Sequence, residues 1–150
     1  MITLLQRVKY ANVKIDNSIF SEIKEGLLIL LGICHDDSQE DIDWLCNKII
    51  NLRIFDDDNG IMNKSCHENK HNILVISQFT LHARTKKGNR PSYIDAAKPE
   101  IAEPLYLKFI ETLTTLTKQE IKTGKFGANM QVTLCNNGPV TISIDSKNKI

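Results

Sequence analysis

The sequence predicts an α/β fold, a single compact domain over residues 1–150 with strand-rich, layered or barrel-like mixed sheets and about two main helices on one side. Two short apolar runs, at 27–33 and 73–76, are typical of strands buried on both faces. Two longer stretches, near 39–50 and 99–116, place apolar residues at helical spacing. At 150 residues and 41% hydrophobic, the chain can bury one core and is too short for two ordinary domains.

The N-terminal part of the chain predicts a strand, a β-hairpin and a central strand. Apolar residues within 1–9 favour a first strand. Residues 12–23 alternate apolar and polar side chains around the turn-forming residues 16–18, which is the pattern of a β-hairpin. The apolar run at 27–33 then predicts a central strand.

The first predicted helix covers residues 39–50. Ser38 followed by Asp41 resembles a capping box, and the apolar residues that follow share one helical face. A short strand is expected at 52–55, followed by a solvated acidic turn that lacks the glycine and glutamate spacing of an EF-hand. Residues 63–72 hold His67 and His71 at helical metal-ligand spacing, but their polar surroundings favour a surface loop over a metal site.

The second buried strand, 73–76, runs directly into Ser77, Gln78, Phe79 and Thr80. Polar groups at the carboxyl end of a buried strand are where α/β sheets commonly build sites. A strand end whose hydroxyl groups bind only local backbone is the other interpretation. The pattern lacks the glycine-flanked serine and the spaced acid and histidine of a hydrolase triad.

A basic segment follows at residues 84–90, with four positive charges and no acid, and Tyr93 lies just beyond it. Its charges suit phosphate groups, and the tyrosine ring offers a stacking surface for a base. A solvated loop is the alternative interpretation of the same pattern.

The C-terminal third predicts a second helix and two last strands. Leu105, Phe109, Leu113 and Leu116 form the expected buried stripe of the helix. A glycine-bracketed turn at 124–129 leads to a strand at 130–135, and a second strand is expected at 140–145. Between them, residues 136–139 have the composition of a hairpin loop, and the tail 146–150 is expected to fray.

Composition restricts the range of functions and partners. The formal net charge of +1 gives no overall electrostatic attraction to nucleic acid or membranes, so we expect neither a membrane nor a DNA partner. The chain has no apolar run long enough to span a bilayer and no signal-peptide pattern, so we expect a cytoplasmic protein. Its four cysteines are scattered without a paired motif, and we expect reduced thiols, no metal and no cofactor.

Three separated blocks resemble the signature segments of the D-aminoacyl-tRNA deacylase (D-tyrosyl-tRNA deacylase) family. The blocks are Ser77-Gln78-Phe79-Thr80-Leu81, Gly124-Lys125-Phe126-Gly127-Ala128-Asn129-Met130 and Asn137-Gly138-Pro139-Val140-Thr141. The resemblance extends over almost the whole chain. One departure is His82, which stands where the family often has tyrosine.

The resemblance implies a homodimeric translation-editing enzyme that cleaves the ester between a D-amino acid and the terminal ribose of tRNA. Catalysis would involve Ser77, Gln78, Phe79 and Thr80. The terminal adenosine would lie against Phe126, Gly127, Ala128 and Met130. Asn137, Gly138 and Pro139 would enter the partner's pocket, with the Gly138-Pro139 bond cis.

The implied chemistry requires chiral discrimination and stabilisation of an oxyanion. A rigid backbone segment can accept the substrate amino group and leave no room for an L side chain, so glycyl-tRNA would also be hydrolysed. Backbone N–H groups around Gln78 and Phe79 are the expected oxyanion donors. The nucleophile is either a water assisted by the ribose hydroxyl or the Thr80 hydroxyl.

Two other functions remain compatible with the residues. In a non-catalytic homodimer that binds the tRNA end through the basic segment, the same blocks would only support that segment. A hydrolase of small esters would act without RNA, although the basic segment at 84–90 argues modestly against it.

Overall fold

A computed structural model describes residues 1–149 and confirms the predicted α/β fold. Its elements follow the expected order along the chain with two differences. The predicted strand at 1–9 and the first arm of the predicted hairpin form one continuous strand, and two short strands are added. They are β1 (Ile2–Ile15), β2 (Ser18–Ile23), β3 (Gly26–Gly32), α1 (Gln39–Asn51), β4 (Phe55–Asp56), β5 (Met62–Lys64), β6 (Asn72–Ser77), a 3₁₀ helix (Phe79–His82), α2 (Pro99–Thr117), β7 (Lys122–Thr123) and β8 (Gln131–Asp145).

The main sheet is mixed and nearly closed into a barrel. Its strands run in the order β2-β1-β3-β6-β7, and β8 pairs with β1 along most of that strand's length. The pairs β3-β6 and β6-β7 are parallel, whereas β1 is antiparallel to each of its neighbours. The Ser21 hydroxyl donates to the Thr123 carbonyl at 2.6 Å, which brings the two outer strands β2 and β7 together.

The central strands are buried on both faces, as their continuous apolar runs predict. Leu27 and Ile29 of β3 face the core that contains the two helices, together with the fully buried Phe109. Leu28 of β3 and Leu74 of β6 point the other way, into a second apolar cluster inside the curved sheet. Alternate side chains of one strand therefore serve two separate cores.

Both helices lie where they were predicted, but the buried face of α2 differs from expectation. The Asp41 carboxylate accepts the Ser38 backbone N–H at 2.9 Å, as in a capping box. In α2, Phe109 and Leu113 are buried as expected, whereas Leu105 and Leu116 are only half-buried. The buried face also takes in Ala102, Tyr106 and Thr117. The predicted apolar stripe left out Tyr106. This residue can be buried because its hydroxyl donates a hydrogen bond to the Val75 carbonyl at 2.9 Å.

The prediction of a hairpin loop at residues 136–139 is wrong. β8 is one long strand that pairs with β1 on both sides of this segment, at Val8 with Asn136 and at Gln6 with Thr141. Residues 137–140 therefore lie opposite Arg7 alone, as a bulge within a continuous ladder. A pairing partner as long as β1 cannot be recognised from the local pattern of β8.

Two segments expected on the surface are anchored. In the predicted surface loop 63–72, Ser65 and Cys66 are buried. In the predicted frayed tail, the buried Ser146 hydroxyl donates to Asp41 at 2.7 Å, and Lys147 Nζ donates to the same carboxylate at 2.8 Å. Ile150, the last residue of that tail, lies outside the described residues.

Candidate active site

Two of the three predicted blocks meet at one cavity of about 590 Å³. Ser77, Gln78 and Phe79 line it at the carboxyl end of β6, whereas Thr80 does not line it, and the segment after β7 supplies four more lining residues. The residues of this second block that line the cavity are Phe126, Gly127, Ala128 and Met130. Apolar residues such as Ile33 and Ala102 form much of the remaining wall. Such a pocket, with few polar groups and many apolar ones, is typical of a small-molecule subsite.

The first block changes direction at Gln78, where β6 gives way to the 3₁₀ helix. The Gln78 backbone N–H donates to the Leu31 carbonyl at 2.7 Å and so extends the sheet by one bond. A Cβ at Gly32 would lie 3.0 Å from the Gln78 carbonyl oxygen, so the turn packs closely against the end of β3. This contradicts the expected use of the Gln78 N–H as an oxyanion donor, since that group is already paired.

The backbone N–H groups of the next two residues, Phe79 and Thr80, differ from that of Gln78 in their hydrogen bonding. Within residues 1–149, the N–H groups of Phe79 and Thr80 have no hydrogen-bond acceptor. They follow Ser77 and Gln78 at the cavity and lie at the start of the 3₁₀ helix, where backbone N–H groups lack partners inside the helix. Unpaired N–H groups in such a position can stabilise a developing negative charge.

The hydroxyl groups of the first block have no general base. Gln78 Nε2 donates to Thr80 Oγ1 at 2.5 Å, which fixes the orientation of the threonine side chain. Among the described residues, no carboxylate or imidazole forms a hydrogen bond with the hydroxyl of Ser77 or Thr80. An alcohol without such a partner is a weak nucleophile.

Three of the four thiol groups offer no alternative nucleophile. Burial and hydrogen bonds to Asp36 and Asp37 raise the pKa of the Cys34 thiol to about 12. Burial alone raises the pKa of the Cys66 thiol to about 12, and burial also raises the pKa of Cys46. A thiol is nucleophilic only as thiolate, so these three are unreactive near neutral pH.

Cys34, Asp37 and His82 are the described residues whose potential metal-ligand atoms cluster, within 4.8 Å of one another. Both Asp37 oxygens already have partners, because one accepts the Met1 amino group at 2.5 Å and the other accepts the Cys34 N–H at 2.8 Å. The Nε2 atom of His82 is buried and has no hydrogen-bond partner within residues 1–149. The carboxylate is thus satisfied by the protein itself.

Two aromatic contacts shape the cavity. Phe79, which is 57% exposed, meets the edge of Tyr93 with ring centroids 5.1 Å apart. Phe126 packs against the buried Tyr106 at 5.7 Å. Gly127 has a φ of +72°, which favours glycine and lets the turn between Phe126 and Ala128 close tightly.

The third block lies elsewhere on the same chain. The Gly138-Pro139 bond is cis, and both residues are exposed at the bulge in β8. Neither residue lines the cavity formed by the other two blocks. The structure of one chain therefore brings together the first and second blocks but not the third.

A buried arginine, Arg7, holds the bulge and was not singled out as a functional residue from the sequence. Its Nε donates to the Asn137 carbonyl at 2.8 Å, and its Nη1 donates to the Ile54 carbonyl at 2.8 Å and to Asp56 at 3.1 Å. A Cβ at Gly138 would lie 3.0 Å from Arg7 Nη2, so the guanidinium packs directly beneath the glycine. The available signal was a cation directly before the apolar Val8 of the first strand.

Comparison with known proteins decides the family. A family model described as D-Tyr-tRNA(Tyr) deacylase matches residues 4–145. The chain belongs to the D-Tyr-tRNA(Tyr) deacylase family. Membership confirms the resemblance drawn from the three blocks, and the match covers all of them.

Relatives of this deacylase family match along the whole chain. The D-aminoacyl-tRNA deacylase of Bacteroides fragilis (strain YCH46) is 63% identical, covering 99% of each chain. That of Flavobacterium psychrophilum (strain ATCC 49511) is 58% identical, again covering 99% of each chain.

Two solved structures share the fold of this deacylase. The c-Myc DNA Unwinding Element Binding Protein has a TM-score of 0.91 and 40% identity, covering 97% of this chain and 98% of that one. A probable eukaryotic D-amino acid tRNA deacylase has a TM-score of 0.82, covering 95% of this chain and 98% of that one. Its 14% identity makes this second likeness one of fold alone.

The contacts of Arg7 predict a large stability effect in this deacylase. Arg7→Ala leaves the buried Ile54 carbonyl and the half-buried Asn137 carbonyl without their charged donor, so the free energy of unfolding should fall by on the order of 3 kcal/mol. Urea titration followed by circular dichroism measures the change. The control is Arg53→Ala, which removes an exposed arginine that donates to the Asn63 carbonyl. Equal, small losses for both variants would contradict the structural role of Arg7.

Proposed function

We propose that the protein hydrolyses D-aminoacyl-tRNA to a D-amino acid and tRNA, with residues 1–150 acting as one catalytic domain. The observation that supports this most directly is the shared cavity of the first and second blocks. It combines backbone donors near Phe79 with an apolar wall, which suits a carbonyl group flanked by an amino-acid side chain and a nucleoside. Membership of the deacylase family gives the class of ester.

The second block is proposed to hold the terminal adenosine. Phe126 and Met130 offer apolar surface for the base, while Gly127 and Ala128 leave room beside it. These residues line the same cavity as Ser77 and Gln78. An adenosine held there would bring its esterified ribose close to the first block.

The third block is proposed to complete the site of a partner subunit, so that the active protein is a homodimer. Gly138 and Pro139 are exposed and lie outside the cavity of their own chain. Arg7 holds the bulge firmly through the Asn137 carbonyl, which suits a segment that must keep its shape at an interface. A symmetric dimer would place one such bulge at each of two cavities.

Chiral selection would follow from the backbone of this bulge. Carbonyl groups near Gly138 would accept the substrate ammonium group, and the adjacent backbone would occupy the direction of an L side chain. Glycine has no side chain to exclude, so glycyl-tRNA on a non-cognate tRNA would also be a substrate. The mechanism rejects wrong substrates by steric conflict rather than by selective attraction.

The chemical step is proposed to use water as nucleophile. Water adds to the ester carbonyl carbon, and the N–H groups of Phe79 and Thr80 donate to the resulting oxyanion. The neighbouring ribose hydroxyl assists in moving the proton from water to the leaving ribose oxygen as the carbon–oxygen bond breaks. Gln78 would keep Thr80 in position through its 2.5 Å hydrogen bond.

The function is tested by incubating the protein with D-tyrosyl-, L-tyrosyl- and glycyl-tRNA and measuring amino acid release. D-tyrosyl- and glycyl-tRNA should be deacylated, and L-tyrosyl-tRNA should remain charged because its side chain meets the bulge. A tRNA-end-binding protein without catalytic activity would retain all three esters. Equal release from both tyrosyl enantiomers would contradict screening by the bulge.

The role of Thr80 is tested by Thr80→Ala. If water is the nucleophile, single-turnover deacylation of D-tyrosyl-tRNA should slow by less than about tenfold, since the backbone N–H groups remain. Covalent attack by Thr80 would instead predict the loss of almost all activity with tRNA binding intact. Ser77→Ala serves as the matched removal of a neighbouring hydroxyl.

Sharing of the site between subunits is tested by mixing two inactive variants. Gly138→Val would disrupt the bulge, since its Cβ would lie 2.9 Å from Val140 Cγ2, and Ala128→Trp would fill the cavity. In a shared site, each mixed dimer regains one intact site, so co-refolded chains should recover roughly a quarter of wild-type activity. No recovery, with mixed dimers shown by mass spectrometry, would place the bulge in the site of its own chain.

A further inference from the structure

The basic segment forms an ordered loop beside the cavity. We define the basic loop as residues 85–91, which connect Arg84 to Ser92. The backbone groups of these two residues pair in both directions, with the Arg84 N–H donating at 2.8 Å and the Ser92 N–H at 3.0 Å. The Arg84 guanidinium also forms a two-pronged ion pair with Asp95. The base of the loop is thereby closed by backbone and side-chain bonds together.

Closing the loop leaves three exposed cations in it. Arg84 is occupied by Asp95, which corrects the expectation of four available charges in this segment. Lys86, Lys87 and Arg90 are exposed and form no salt bridge with any residue in 1–149. A concentration of positive charge attracts a polyanion even in a protein of near-zero net charge.

The basic loop is continuous with the candidate active site. Tyr93, the residue after its closing pair, lines the cavity and contacts Phe79. Two more exposed lysines adjoin cavity residues, Lys98 next to Pro99 and Lys125 next to Phe126. Exposed cations therefore adjoin cavity residues at three places in the chain, and the basic loop holds the most of them.

We infer that the basic loop and Tyr93 bind the single-stranded 3′ segment of the tRNA that precedes the terminal adenosine. This inference rests on the proposed function. Lys86, Lys87 and Arg90 would contact the phosphate groups, and the 38% exposed ring of Tyr93 would stack with a base.

A single strand fits this surface better than a duplex does. The basic loop is a short bend, and the described residues offer no helix or paired strands there to enter a groove. Aromatic stacking needs an unpaired base, whereas contacts to a duplex would require only charge. The RNA segment leading to an adenosine in the cavity must also leave the cavity on its exposed side, where Tyr93 and Phe79 lie.

The inference is tested by comparing two substrates of different length. The variant Lys86→Ala/Lys87→Ala/Arg90→Ala is assayed with D-tyrosyl-tRNA and with D-tyrosyl-adenosine, which carries the ester but no phosphate. The kcat/KM for the tRNA should fall at least about tenfold at moderate salt, and the slope of log(kcat/KM) against log[salt] should decrease in magnitude by about 2. Hydrolysis of D-tyrosyl-adenosine should be unchanged.

The control variant removes equal charge from residues outside the cavity wall. Lys48→Ala/Arg53→Ala/Lys70→Ala also replaces two lysines and one arginine, all exposed, and should leave both activities as in the wild type. Equal losses on tRNA for the two triple variants would overturn the inference. So would equal losses by the loop variant on both substrates.

Binding of uncharged tRNA separates this inference from the proposed function. Fluorescence anisotropy should show weaker binding for the loop variant, and about tenfold weaker binding for Tyr93→Ala, with Tyr93→Phe close to wild type because the ring is kept. If the wild type hydrolyses neither ester, the proposed function fails while this measurement still decides whether the loop binds RNA. Unchanged binding by the loop variant would overturn the inference.

Discussion

The hydrogen bond from Arg7 to the Asn137 carbonyl connects the two long strands where their ladder is interrupted. β8 leaves its register with β1 over residues 137–140, and the half-buried Asn137 carbonyl there would otherwise lack a donor. The guanidinium supplies it and also reaches the Ile54 carbonyl, so three distant segments share one buried cation.

The position of the cavity follows from the two-sided burial of β3 and β6. Strands with apolar residues on both faces leave no place for polar groups except at their ends. Ser77 and Gln78 stand at such an end, where the sheet stops and the chain turns away from Leu31. The parallel strand β7 lies beside β6 and directs its following turn to the same edge. The two blocks meet because neighbouring parallel strands finish together.

The sequence predicted those features that depend on local pattern, and it failed where distant pairing decides. The apolar runs and the Ser38–Asp41 cap predicted β3, β6 and α1 correctly, since burial and capping leave local signals. The continuity of β8 was missed because the Asn-Gly-Pro composition is also that of a turn, and only pairing with β1 distinguishes the two. The Gln78 N–H was assigned wrongly for a similar reason, as its acceptor on Leu31 is remote in sequence.

The absence of an activated side-chain nucleophile at Ser77 and Thr80, within residues 1–149, has a chemical consequence for the proposed reaction. The rate must then come from orientation and from donors already directed at the oxyanion, rather than from a strong base in the protein. Under the proposed mechanism the terminal ribose brings its own hydroxyl next to the ester. Recognition of RNA is then part of the chemistry, because a small ester without that hydroxyl would lack the assisting group even when it fitted the cavity. A local concentration of positive charge beside the cavity, in a chain of net charge +1, is what such a substrate requires.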